Sequence, residues 1–195
     1  MRKLSLSVIS GMLVIILYCV FTFTSLGLFP PPYSPLVNWL SDLGNSSFNP
    51  IGAVFYNIGC ITTGIALFPF FIGFYKLYRE EIWHKILVII GQGIGCFAAF
   101  ALIMIGIFSE DFMNLHVLWS NIFFLVILFV LIVISFALLL HKAFKKPIAF
   151  YGIIIAILDL IFLYFFNTPI LEWFDVFTAL SWVGLIIYNM YIEDI

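Results

Sequence analysis

Residues 30–50, PPPYSPLVNWLSDLGNSSFNP, separate two long apolar runs and contain no Lys or Arg. Ser34-Pro35 has the form of a helix start: a capping hydroxyl, then a proline where a missing N–H costs nothing. Gly44 is the matching stop, since the residue after a helix often needs positive φ. Between them Leu36, Leu40 and Leu43, with Val37 and Trp39 beside them, are expected to form an apolar face. Asn38, Ser41 and Asp42, spaced i, i+3 and i+4, share the opposite face. The stretch therefore reads as a short amphipathic helix lying at a membrane surface.

The flanking runs set the class. The chain has 195 residues, of which 65% are hydrophobic and 9% charged. Soluble domains are near a quarter charged, so this composition describes a polytopic membrane protein. A hydrocarbon core of about 30 Å needs about 20 helical residues, and six runs qualify: 4–29, 50–77, 86–108, 115–140, 148–166 and 169–191. The expected fold is all-α, one six-helix transmembrane domain over residues 1–195, with the short interfacial helix after the first span. The first run, about 25 residues after MRK, is too long for a cleaved signal peptide. It reads as a spanning helix.

Charge fixes the expected orientation. The eight basic residues are Arg2, Lys3, Lys76, Arg79, Lys85, Lys142, Lys145 and Lys146. All belong to the N-terminus or to the second and fourth connections. By the positive-inside rule both termini are cytoplasmic, as for a prokaryotic cytoplasmic-membrane protein, and residues 30–50 face outward. Asn49-Pro50 and Thr168-Pro169 open the second and sixth spans, and Lys145-Lys146-Pro147 closes the connection before the fifth. Gly91, Gly95 and Ala99 follow a small-xxx-small spacing that brings helices close, and Gly52 and Gly59 suggest the same for the second span.

The outer connections and helix ends carry Asp42, Glu110, Asp111, Glu172 and Asp175, with His116 as the one cationic candidate there. A carboxylate shielded from water must be protonated, hydrogen-bonded, or neutralised by a metal ion or a lipid amine. At 1.5 Å per residue Asp159 lies about 12 Å below the outer end of its span, Asn57 about 10 Å and Thr178 about 13 Å below theirs. Ser120 and Asn121 lie about 6–8 Å below His116, so four spans share one polar layer. An ionisable residue inside a span is a functional candidate, and Asn57 or Thr178 is the expected partner of Asp159. Glu172, Asp175, Ala179 and Trp182 form an inward stripe on the sixth span. The helix dipole would equally favour Glu172, Glu110 and Asp111 in first turns. His84 and His141 fall within the basic rim.

Two motifs carry a resemblance. Asn38-Trp39-Leu40-Ser41-Asp42-Leu43-Gly44 after the first span, and Gly106-Ile107-Phe108-Ser109-Glu110-Asp111 followed by His116, resemble a prokaryotic six-span family, domain of unknown function 998. Its members often carry S-D-L-G, then F-P-x-D and a histidine opening the next span; here Ser109 stands where proline is common. A more distant resemblance runs to the autophagy modulators and GPI-anchor lipid-remodelling membrane proteins. Glu172-Trp173 stands where related six-span proteins have an acid and an arginine, and no HxxxH of the alkaline ceramidase type occurs. The resemblance implies Asn38, Ser41, Asp42, Asp111 and His116 as site residues.

Three functions stay open. The first is an outward-facing acidic pocket binding a lipid head group, with Asn38, Ser41, Asp42, Asn57, Asp159 and Glu172 as ligand-binding residues. A divalent metal ion is the candidate cofactor, held by Asp42, Asp111 and His116. If that ion activated water, the same three would be catalytic in lipid hydrolysis or acyl transfer, and a mixed carboxylate–imidazole set suits zinc or another transition metal. The second is a structural or assembly subunit with a homo-oligomeric or membrane-protein partner. The third is a transporter, for which no internal repeat is found and Pro69 is the one proline within a span. Neither GxGxxG nor GxxxxGK[ST] occurs, and nucleic acid is not an expected partner.

Overall fold

The computed structural model describes residues 4–165 and 168–195, with the side chains of 162–165 left aside; Arg2, Lys3 and Asn167 fall outside the described residues. Six helices lie at the expected places: α1 (Leu6–Leu28), α2 (Ala53–Ile72), α3 (Ile82–Ile107), α4 (Met113–Leu140), α5 (Lys146–Phe165) and α6 (Pro169–Ile192). Among the described residues, α1, α2 with the turn after it, α3, α4 and α6 are each long and apolar enough to cross a membrane. Each helix packs on its sequence neighbours and α1 closes onto α6, so the six form a ring. Short connections force this antiparallel order. One end of the ring carries Lys76, Arg79, Lys85, Lys142, Lys145 and Lys146, with Glu80, Glu81, Glu193 and Asp194 among them; the other carries Asp42, Glu110, Asp111, Glu172, Asp175 and the rest of residues 29–52, with no Lys or Arg among the described residues. These are called the basic and acidic ends below.

Glycines set how closely the helices approach. A Cβ on Gly106 of α3 would stand 2.6 Å from the Asn57 carbonyl of α2, and one on Gly64 of α2 would stand 2.8 Å from the Ala99 carbonyl of α3. Backbone cannot retreat as a side chain can, so α2 and α3 approach this closely at both points only because these positions lack a side chain. Gly91 faces Ile134 of α4, Gly95 faces Phe71, and Gly59 packs on Phe21 of α1. Gly52 has a different role from the one expected: it lies before α2, over its own Asn49.

Near the basic end α2 contains Pro69 and then tightens into a 3-10 turn over Gly73–Leu77. Polar groups freed within a bilayer need internal partners, and Gln92 of α3 donates to the carbonyls of Phe71 and Ile72 at 3.1 and 2.8 Å. Tyr78 in turn donates to Gln92 Oε1. Phe70, Phe71 and Phe74 pack edge to face around this point, centroids 4.9–5.7 Å apart. The junction where α2 passes into the 3-10 turn is thus a satisfied, tightly packed joint.

The expected amphipathic helix over residues 34–44 does not form. A single turn follows Ser34, whose carbonyl accepts the N–H groups of Val37 and Asn38. A 3-10 turn then covers Ser41–Gly44. Leu36 and Val37 are 73% and 74% exposed, whereas Leu40, Leu43, Ser41 and Asp42 are all buried. Ser41 and Asp42, expected on the face opposite Leu40 and Leu43, are buried together with them. Gly44 needs no positive φ. Its small size matters instead, because a Cβ there would collide with the side chains of Tyr56 and Asn57.

Candidate functional site

Residues 29–52 fold back over the acidic end and are held by side chains from three helices. Ser25 of α1 donates to the Leu43 carbonyl at 3.1 Å. Asn49, fully buried, donates through Nδ2 to Ser25 Oγ and the carbonyls of Ser25 and Leu43, while its Oδ1 accepts Gly52 N–H. Asn57 of α2 donates to the Gly44 carbonyl at 3.0 Å. On α6, Trp173 Nε1 donates to the Tyr33 hydroxyl at 3.0 Å, and Tyr33 donates to the Trp39 carbonyl. Burial pushes the Tyr33 phenol far above its ordinary range, with Asp42 and Glu172 adding to it, so the hydroxyl remains a neutral donor. Glu172 Oε2 accepts the Leu40 and Ser41 N–H groups at 2.7 and 3.2 Å and lies 3.4 Å from Ser41 Oγ.

Under this cover lies a chamber of about 450 Å³. Trp39 and Ser41 come from the loop, Glu110 from the connection between α3 and α4, and His116, Ser120 and Asn121 from α4. Asp159 comes from α5, with Glu172 and Asp175 from α6. No Lys or Arg is among its lining residues. Asp159 and Asp175 stand close enough for their side chains to interact, and each keeps a buried Oδ1 without a hydrogen-bond partner. Glu110 is only 9% exposed, and its Oε2 is likewise unpartnered.

A narrower apolar slot of about 80 Å³ adjoins the chamber. It shares Ser41, Ser120, Phe124, Glu172 and Asp175 with the chamber and continues among Val14, Leu102, Ile127, Leu131, Leu180 and Val183. The stripe expected on the sixth span lines this path: Glu172 and Asp175 at the chamber, Ala179 and Trp182 along the slot.

The structure brings together Ser41, His116, Asp159 and Glu172 of the expected residues, and it turns the others elsewhere. Asp42 Oδ2 accepts Trp39 N–H and Asn38 Nδ2 within its own loop, and Asn38 Oδ1 accepts Ser34 N–H. Asn57 serves Gly44, and Thr178 donates back to its own helix at Phe174 and Asp175. Neither partners Asp159; Asp175 does. Two residues absent from the expected ligand-binding set, Glu110 and Asp175, line the chamber. Asp175 was legible as part of the stripe, but Glu110 becomes a pocket residue only through the turn at Glu110–Phe112.

Asp42, Asp111 and His116 make separate contacts and are not grouped to hold a metal ion. Exposed Asp111 accepts Ser46 N–H, Ser46 Oγ and Ser109 Oγ at 3.0, 2.8 and 3.0 Å, tying the loop to the connection between α3 and α4. His116 is buried with Nδ1 2.9 Å from the Phe108 carbonyl. Among the described residues, no group of three or more His, Cys, Asp or Glu is arranged to hold a metal ion. Asp42, Asp111 and His116 each spend oxygens or a ring nitrogen on separate partners, so this set does not fit the ion expected from sequence.

Comparison with curated proteins and with solved structures gives no match, so the likeness to autophagy modulators and GPI-anchor remodelling proteins has no finding behind it. A family model does match, over residues 12–189, and this span takes in the loop, the chamber and the slot. The chain belongs to the family described as protein of unknown function, DUF998.

Proposed function

We propose that this integral membrane protein binds a lipid-like amphiphile, with the polar head in the acidic chamber and an apolar tail in the adjoining slot. The observation that carries the reading is the sharing of lining residues between a polar chamber and an apolar slot inside one helix ring. The chamber falls within the usual range of ligand cavities, about 300–1,000 Å³. A polar cavity alone would simply hold water. Its continuation into an apolar slot offers an amphiphile a place for each half.

All six helices are taken to span the membrane, with the acidic end extracytoplasmic and both termini in the cytoplasm, following the lysine and arginine distribution. No chemical step is assigned. The deciding experiment is native mass spectrometry of the protein released from a mild uncharged detergent. Wild type is expected to retain an amphiphile, and Ala179→Phe, which fills the slot, to lose it. Equal retention by wild type and Ala179→Phe would remove the slot from the reading, and no retention by wild type after reconstitution with total membrane lipid would remove the reading itself.

A further inference from the structure

We infer that the chamber selects a cationic head, an ammonium bearing N–H groups, and rejects phosphate; this rests on the amphiphile reading above and names its ligand class. The chamber collects Glu110, Asp159, Glu172 and Asp175 with no Lys or Arg in its lining. An acidic cluster of this kind is common where water reaches it. The distinguishing feature is Glu110, nine-tenths buried and lining the chamber, whose Oε2 makes no hydrogen bond although the Asn45 and Asp42 side chains lie beside the carboxyl. Asp159 Oδ1 and Asp175 Oδ1 are buried and unanswered in the same way. Three carboxyl oxygens around one cavity therefore lack donors.

Buried acceptors without donors are costly, and buried carboxylates without a counter-charge more so. A primary ammonium supplies both missing elements at once: a positive charge and three N–H donors. Trp39, in the chamber's cover, adds an aromatic ring of the kind ammonium groups favour. A phosphate in the same place would bring negative charge among four acids and acceptor oxygens where acceptors already lack partners. His116 is the sole lining side chain able to carry positive charge, and its Nδ1 is engaged with the Phe108 carbonyl. The shared chemistry is an ammonium joined to an apolar tail, whether from a membrane lipid or a free long-chain amine.

The test titrates wild-type protein in dodecyl maltoside with dodecylammonium, dodecyltrimethylammonium, dodecanol, dodecyl phosphate and butylammonium. Binding is read by native mass spectrometry, with free concentrations corrected for micelle partition. Dodecylammonium is expected to bind at least tenfold more tightly than each of the other four. Glu110→Gln, close to isosteric, is expected to reduce its preference over dodecanol at least threefold with unchanged thermal melting. Dodecyl phosphate binding as tightly as dodecylammonium overturns the cation inference and leaves amphiphile binding standing. Dodecyltrimethylammonium binding as tightly overturns the role of the N–H donors. Butylammonium binding as tightly as its dodecyl counterpart keeps the cation and overturns the amphiphile reading, and no binding by any probe overturns both.

Discussion

Glu172, in the first turn of α6, accepts the Leu40 N–H at 2.7 Å across 132 positions of sequence. The same Oε2 accepts Ser41 N–H, so one carboxylate oxygen holds the cover of the chamber while its residue lines the wall. Glu172→Ala leaves two backbone donors without their acceptor, at a cost of about 1–3 kcal/mol. Glu172→Gln keeps a carbonyl oxygen and should lose less. Limited proteolysis within residues 34–48, compared across the three proteins, is expected to rank wild type slowest and the alanine variant fastest.

Asp159 and Asp175 separate a binding chamber from a polar lock between helices. The two carboxyls lie against each other, and each keeps a buried Oδ1 that makes no hydrogen bond. Asp159→Asn removes the carboxyl–carboxyl contact at nearly constant shape and is expected to raise the stability of ligand-free protein by about 1 kcal/mol. It should weaken amphiphile binding at the same time. A lowered melting temperature in uncharged detergent would instead identify the pair as a structural contact.

Two glycines of α3 predict opposite responses to the same substitution. Gly106→Ala pushes a methyl against the Asn57 carbonyl and is expected to destabilise by about 1–3 kcal/mol. Gly93 has open space where its Cβ would be. Gly93→Ala should therefore gain about 0.5–1 kcal/mol from helix propensity alone. Thermal melting of the purified variants checks both.

His141, just beyond α4, is buried 5.6 Å from the His84 ring, centroid to centroid. Burial, with Arg79, His84 and Lys146 nearby, pushes its imidazole down from 6.5 to about 4. The folded protein thus binds this proton less readily than the unfolded chain. The sign follows: His141 leaves stability unchanged above about pH 6.5 and lowers it as pH falls from there toward 4. In melting curves against pH, His141→Gln should track wild type with a constant offset above pH 6.5, and wild type should lose ground to it below.

Orientation is tested on a chain with Cys19, Cys60 and Cys96 replaced by serine. A cysteine introduced at the exposed Ser47 should react with an impermeant maleimide on intact cells, and one at the exposed Lys142 only after permeabilisation. The reverse pattern would invert the topology.

Spacing along the chain was enough to place the helices, because apolar length, prolines and lysine-bearing connections are local signals. Thr168-Pro169 opens α6, and Lys146 begins α5 as its flanking residues indicate. Helical periodicity also placed Glu172, Asp175, Ala179 and Trp182 on one inward stripe. Residues 30–50 misled for a physical reason. Helical spacing put Asn38, Ser41 and Asp42 on one polar face, but it could not show that Ser25, Asn57 and Glu172 wait in other helices to bond this segment. Those distant donors and acceptors outweigh the few hydrogen bonds a two-turn helix would have made, and they draw Ser41 and Asp42 inward. The same limit applies to the site. Which acids spend their oxygens on nearby N–H groups, as Asp42 and Asp111 do, and which remain unanswered, as Glu110 does, depends on partners brought near only when the ring closes. Composition and spacing determined a helical membrane protein with acids unaccompanied by Lys or Arg at one end; only tertiary closure decided which of those acids face a shared cavity.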